Sequence, residues 1–325
     1  MRTTSVLSAA ALCLVSACAD QIPVEPTTAA LRAVAVGPAS TFTDQVSIVD
    51  PSIADLRAQL GLEEGDFVVA SVELLYDMYA VQDPPPTLIL ANDRVRLTPP
   101  QWVPNDPRRG GRADLNWGYL AFNPIGAGMR DASTGSVRAA TPQELEARIV
   151  EGMAAWQSQS CRRTPLTRVM PGAAAPDIIQ VGWVPKQIFP LFNNPGVLGV
   201  TITSWYVNNL VEKIPTDIDG NGRPDIARAE IVYNAHRIWS DNGPVGTIDF
   251  FSVIAHESGH AFGLNHFGKV FVAKKNVQYV NGVPQVSLED IQYAPKALMN
   301  AIYITGRSEI AGTDHATFCG LWGEE

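Results

Sequence analysis

His256-Glu257-Ser258-Gly259-His260-Ala261-Phe262-Gly263-Leu264-Asn265-His266 is the run from which this 325-residue chain is best understood. On a helix, His256 and His260 lie one turn apart and project from the same face, so both imidazoles reach one metal ion. Glu257 then stands beside that metal. A carboxylate there can take a proton from metal-bound water and later deliver it to a leaving amine, while the metal polarises the carbonyl under attack. Gly263 offers the left-handed conformation that ends a helix, which turns the chain sharply and returns His266 as a third ligand. Three nitrogen ligands leave one tetrahedral position open, the arrangement of catalytic rather than structural zinc sites. Three of the chain's five histidines fall on this spacing, so a buried amphipathic helix with incidental histidines explains less.

Around the motif, Phe250, Phe251, Ile254, Ala261 and Phe262 give the helix an apolar body suited to the centre of a domain, and residues 247–249 offer its caps.

The motif is the signature of the metzincin zinc endopeptidases, and the chain resembles that clan beyond it. Pro295-Lys296-Ala297-Leu298-Met299-Asn300 looks like the family's methionine turn, which would make Met299 the floor of the zinc site. Asp314 falls where the family has an acidic residue that helps hold that turn. Within the clan the resemblance is to the matrixins, whose catalytic domains close on a Leu-Tyr-Gly-like run; Leu321-Trp322-Gly323 stands in that place. The resemblance implies an α+β fold: a twisted, mostly parallel sheet with an antiparallel edge strand above the cleft, an active-site helix and a C-terminal helix. It also implies that Val197, Leu198, Gly199 and Val200, in the expected strand 197–203, bind substrate, because an exposed edge can pair with an extended peptide. A plain sheet strand remains the alternative.

The sequence departs from the family in places. Phe267 is not the usual matrixin residue, and the connection from His266 to Met299 is long, with Asn281-Gly282 marking a hairpin within 277–286. Tyr303 lies four residues after Met299 rather than two, so it does not match the switch tyrosine of some metzincins. The second, structural zinc of matrixins needs more histidines than His236 and His315, and these read as ordinary polar residues.

At the other end, Arg2 followed by a short apolar run reads as a secretory signal over 1–17. Val15-Ser16-Ala17-Cys18 resembles the bacterial lipobox, in which the cysteine carries the lipid; a cleaved signal without lipid is the alternative. Residues 18–39 read as a flexible tether, and no other apolar run is long enough to span a bilayer. The chain is therefore expected in the bacterial cell envelope, held by lipid at one end and otherwise extracytoplasmic. Its net charge of -9 argues against nucleic acid as a partner.

Residues 40–112 read as a small β-rich accessory or pro-region. A helix is expected over 51–60, strands over 67–76 and 87–90, and a Pro, Gly and Arg-rich linker or processing site over 99–112. No cysteine lies between Cys18 and Cys161, so a thiolate cannot occupy the open zinc position; a carboxylate such as Asp66 would have to serve an inhibitory segment. The catalytic domain is expected over 113–325. It opens with a strand over 115–123 and a helix capped by Thr141-Pro142-Gln143-Glu144, followed by strands over 166–170, 177–183 and 230–234 and a closing helix within 308–322. Cys161 and Cys319 suit a disulfide in an exported protein, with two small buried thiols as the alternative.

Asp217-Ile218-Asp219-Gly220-Asn221-Gly222-Arg223-Pro224-Asp225 resembles the Asp-x-Asp-x-Asn-Gly-x-x-Asp loops of calcium proteins. Asp217, Asp219, Asn221 and Asp225 would offer side chains and Arg223 a backbone carbonyl. Arg228 stands where a full EF-hand has its distal glutamate, and an ordinary Asp/Gly-rich turn is the alternative. The expectation is a monomeric zinc endopeptidase acting on protein or peptide, with calcium as a second ion. Its rival is a catalytically silent binding protein on the same fold, against which the intact Glu257 weighs.

Overall fold

The computed structural model describes residues 67–77, 87–89, 98–119, 127–131, 133–159, 161, 166–169, 176–209, 214–241, 247–267, 269–272, 278–280, 283–285, 291–303 and 308–323. The signal segment 1–17, Cys18, the tether 18–39, the helix expected over 51–60, Asp66 and the Asn281-Gly282 turn lie outside the described residues. In chain order the elements are β1 (Phe67–Asp77), β2 (Thr87–Ile89), β3 (Leu115–Tyr119), β4 (Gly128–Arg130), β5 (Val137–Ala139), α1 (Pro142–Gln157), β6 (Leu166–Arg168), β7 (Ile178–Val184), β8 (Val197–Tyr206) and β9 (Ile226–Asn234). They continue with β10 (Ile238–Ser240), β11 (Ile248–Asp249), α2 (Phe250–Ala261), β12 (Lys269–Val272), β13 (Gln278–Val280), β14 (Val283–Gln285), β15 (Ile291–Ala294), β16 (Ile302–Tyr303) and α3 (Gly312–Trp322).

An eight-stranded mixed sheet, in the order β16-β1-β8-β9-β7-β3-β6 with β2 beside β1, forms the frame. β9, β7, β3 and β6 pair in parallel, β8 is antiparallel to both β9 and β1, and β16 pairs in parallel with β1. The fold is mixed α/β, with a mostly parallel sheet and few helices. Every residue of β7 and β8 is buried, as central strands covered on both faces must be. One face carries the helices and the larger core, with Trp156, Phe250, Ile254, Met299 and Phe318. The other packs Val72, Leu74, Val181, Val200 and Ile202 against Phe189 and Phe192 of the loop before β8.

α1 begins where its local signals place it. The Thr141 hydroxyl accepts from the Glu144 N–H at 3.2 Å and the Glu144 carboxylate accepts from the Thr141 N–H at 2.8 Å, so two otherwise unpaired donors are satisfied reciprocally. Leu145, Ile149, Met153 and Trp156 form its buried face. A small sheet, β11-β10-β4-β5, leads the chain into α2. Between His266 and Met299, β12 pairs with β15 and β13 with β14, both antiparallel.

Two expectations are corrected here. The boundary at 112–113 does not separate two packed bodies, because β1 is a member of the central sheet and its Ala70, Val72 and Leu74 are completely buried. Nor is 99–112 a linker. The Trp102 indole is fully buried and donates to the Ala261 carbonyl at 2.7 Å. The Arg108 guanidinium lies 2.7 Å from both Asp106 and Asp225 and 3.9 Å from the Tyr206 ring centre, and Arg109 and Arg112 share Asp177. Composition alone suggested a linker or processing site because Asp177 and Asp225, which these arginines meet, lie far along the chain.

A disulfide joins Cys161, just past α1, to Cys319 in α3, at a sequence separation of 158. Cross-linking so long a loop restricts the unfolded chain. Replacing both cysteines by serine is expected to lower the free energy of urea unfolding by about 2–5 kcal/mol, read as a lower midpoint with a slope that rises as the unfolded chain expands.

Candidate metal centre

All twelve residues of α2 are buried, so the polar groups of its backbone must be satisfied inside the protein. At its start the Asp249 carboxylate accepts from the Ser252 N–H at 2.8 Å and its hydroxyl at 2.7 Å, while the Asp249 N–H donates to the Tyr303 hydroxyl at 2.9 Å. Three indoles serve carbonyls further along: Trp156 donates to Ala255, Trp102 to Ala261 and Trp322 to Phe262, at 2.7, 2.7 and 3.1 Å. After the helix, Gly263 has φ 95° and lies so close to the Pro100 carbonyl that a Cβ would approach its oxygen to 2.3 Å. Only glycine fits both the left-handed backbone and that contact, and the turn it makes carries the chain to His266.

The three histidines meet at one point. Their Nε2 atoms lie 3.0 Å apart for His256 and His260, and 3.1 Å from each of these to His266. Two nitrogens on one tetrahedral zinc stand about 3.3–3.4 Å apart, given bonds of about 2.0–2.1 Å, so the triangle is close to the size the ion needs. The far side of each ring fixes its tautomer. His256 Nδ1 lies 2.7 Å from the Leu298 carbonyl and His260 Nδ1 2.7 Å from the Leu264 carbonyl; a carbonyl only accepts, so Nδ1 carries the proton and Nε2 presents a lone pair. His266 Nδ1 lies 3.3 Å from a Glu73 carboxylate oxygen. Three lone pairs aimed at one point repel each other unless a cation stands between them. The residues therefore fit a zinc ion.

Burial holds the imidazoles neutral. It lowers His256 to about 3, helped by the neighbouring His266, lowers His266 to about 3, and lowers His260 well below the usual value. Glu257, fully buried, is raised well above the carboxylate range by burial, against the Thr201 hydrogen bond and reinforced by the charge of Glu73. The Thr201 hydroxyl lies 2.7 Å from Glu257 Oε2, whereas Oε1 is buried without a hydrogen-bond partner. A Cβ on Gly199 would come within 2.6 Å of that Oε1, so the glycine leaves room for the carboxylate. Of the three histidines only His266 is part-exposed, as are its neighbours Asn265 and Phe267.

Met299 is completely buried under α2, where a Cβ on Gly259 would approach its sulfur to 2.5 Å. The Asp314 carboxylate accepts from the Leu298 N–H at 2.8 Å and the Met299 N–H at 3.0 Å, fixing the turn whose Leu298 carbonyl meets His256.

Val197, Leu198, Gly199 and Val200 are placed differently from expectation. The antiparallel strand they begin is not an edge, because β1 pairs along β8 from Tyr76 opposite Val197 to Phe67 opposite Tyr206. All four are buried, and a peptide cannot add to β8 while β1 is there. In the loop 217–225, carboxylate oxygens of Asp217, Asp219 and Asp225 lie within 4.8 Å of one another. The loop's own donors already use much of this capacity. Asp217 accepts from the Asn221 and Gly222 N–H groups at 2.9 and 2.8 Å, the Asn221 amide donates to Asp219 at 3.0 Å, its oxygen accepts from the Arg223 N–H at 2.8 Å, and Asp225 is shared with Arg108. His315 meets the Gln159 oxygen at 2.7 Å and His236 accepts from the Lys186 N–H at 3.1 Å.

Sequence reading passed over Glu73, Thr201 and the contact of Tyr303 with Asp249. Glu73 did leave a signal: it is the one charge inside Val69-Ala70-Ser71-Val72-Glu73-Leu74-Leu75-Tyr76, and a charge buried in such a strand needs a compensating partner.

The centre's contribution to the stability of metal-free protein follows from these directions. Between about 3 and 6.5 the unfolded chain binds protons at the histidines that the folded chain refuses, so stability falls as pH drops through that window, by up to about 1.4 kcal/mol per unit for each histidine. Glu257 acts oppositely: folded, it keeps a proton that the unfolded chain releases above 4.5, so its contribution falls as pH rises. Three histidines outweigh one glutamate below 6.5, and only the glutamate acts above it. Urea melts of chelator-treated protein are expected to show the stability peaking near neutral pH, with Glu257→Gln flattening the alkaline limb. No protein-family model matches the chain, and no curated protein matches it.

Proposed function

We propose that the chain is a zinc-dependent endopeptidase of the metzincin type, similar to the matrixins, exported to the bacterial cell envelope and acting on peptide bonds of extracytoplasmic proteins. One observation carries this reading: three imidazoles with Nε2 atoms 3.0–3.1 Å apart, and beside them a glutamate with one buried, unpartnered oxygen. The strand order β6-β3-β7-β9-β8, the turn at Met299 and the closing helix α3 are compatible with it. The address rests on residues 1–18 of the sequence, with Cys18 as the lipid-bearing residue.

His256, His260 and His266 would hold the ion. Zinc bound there supplies Lewis-acid polarisation of a carbonyl and lowers the pKa of water. Thr201 anchors Glu257 by Oε2; with a dication bound beside it the carboxylate would be ionised despite its burial, and Oε1 would be left to take the proton from the attacking water and return it to the departing amine. Leu298, Leu264 and Glu73 keep the Nδ1 protons directed away from the reacting side. The buried walls around Glu257 exclude bulk water, and a peptide reaches the centre from the side of 265–267.

The test is cleavage of a diverse peptide library, read by mass spectrometry, by zinc-loaded protein and its Glu257→Gln variant. Cleavage is expected to fall by about 10²–10⁴-fold in the variant while one zinc per chain is retained. Bound zinc with no cleavage by the parent would favour the silent peptide-binding protein.

A further inference from the structure

We propose that Glu73 is a positioning residue of the metal centre: from the N-terminal strand β1 its carboxylate orients His266 and supplies the second negative charge that a buried dication requires. The proposal rests on the zinc reading above. It deepens that reading by making the upstream strand part of the centre.

Register puts Glu73 there. In the β1–β8 pairing, Glu73 stands opposite Thr201, the residue whose hydroxyl meets Glu257, while Val72 and Leu74 face Ile202 and Val200 and enter the second core. Alternation along the strand therefore sends Glu73 to the α2 side. Its side chain is 5% exposed and its Oε2 lies 3.3 Å from His266 Nδ1. His256 and His260 rest on carbonyls of the helix-turn segment and the methionine turn. His266, beyond the Gly263 turn, meets a carboxylate instead. A carboxylate behind a ligating histidine fixes the ring and raises its basicity as a ligand.

Charge points the same way. Three neutral imidazoles around a divalent ion leave two positive charges in a dry site. Glu257 offsets one of them and Glu73 offsets the other. A second carboxylate 3.3 Å behind one of the histidines adds negative charge where a dication would sit. Glu73 is also placed behind the ligand rather than among the ligands, since its contact is with Nδ1 and the three Nε2 atoms converge on the opposite side of the ring.

The experiment titrates chelator-stripped full-length protein with Co(II) and Zn(II), comparing the parent with Glu73→Gln and Glu73→Ala. Glutamine keeps the size and an acceptor but loses the charge; alanine loses both. Expected are metal dissociation constants raised about 10–100-fold, more by alanine than by glutamine, and a shift of the Co(II) visible bands as His266 loosens. Thermal melts of the metal-free proteins report folding separately. If the alanine variant fails to fold, glutamine carries the test. Parent-like affinity and unshifted bands in Glu73→Gln overturn the proposal and leave the zinc reading standing. A parent chain that binds neither metal overturns both.

Discussion

Everything in this protein is arranged around three imidazole lone pairs that converge in a dry interior. The arrangement is unfavourable unless each ring is held from behind and a cation is received in front. The holding groups come from distant parts of the chain: Leu264 from the turn after α2, Leu298 from the loop before β16, and Glu73 from β1. Each holder is itself held. Asp314 fixes the backbone at Leu298 and Met299, Gly263 permits the turn at Leu264, and pairing with β8 fixes Glu73. A displacement in any of these elements would reach the histidine cluster through one hydrogen bond.

The same constraint explains the unusual burial of α2. A helix that presents imidazoles at the centre of a domain cannot turn a polar face to water, so its carbonyls and its first turn need protein partners. Tryptophan suits that task because it buries a large apolar surface and still brings one N–H donor to the carbonyl. Trp156, Trp102 and Trp322 do this from α1, from the segment before β3 and from α3. The core and the site are thus one packing problem. Gly259 shows it from the other side: the space left by its missing side chain is filled by the Met299 sulfur and the Trp156 ring.

What could be read from the sequence was local. The histidine spacing, the helix caps at Thr141 and within 247–249, the strands expected over 177–183 and 230–234 and the glycine turn each depend on residues a few positions apart. What escaped depended on pairing across long separations. Nothing near residue 70 announces that its strand will lie against β8, and the polar run at 99–112 resembles a linker until Asp177, Asp225 and Ala261 are brought to it. The arginines and Asp106 were visible as a cluster; the other carboxylates, Asp177 and Asp225, were not, because those lie 65 to 117 residues further on. Glu73 was the exception in principle, a charge in an apolar strand that only a buried partner would justify.

The placement of β1 changes what binding at this centre would require. An open edge at β8 would recognise any extended peptide by its backbone, but β8 is saturated on both sides, by β9 and by β1. On the far side of β1, β2 pairs with Ser71, Val72 and Glu73, and β16 with Tyr76 and Asp77. Backbone pairing next to the centre is therefore largely used within the fold itself. Displacing β1 would expose the apolar side chains of Ala70, Val72, Leu74 and Leu75 and withdraw the carboxylate behind His266, so the strand is poorly suited to be shed as a temporary plug.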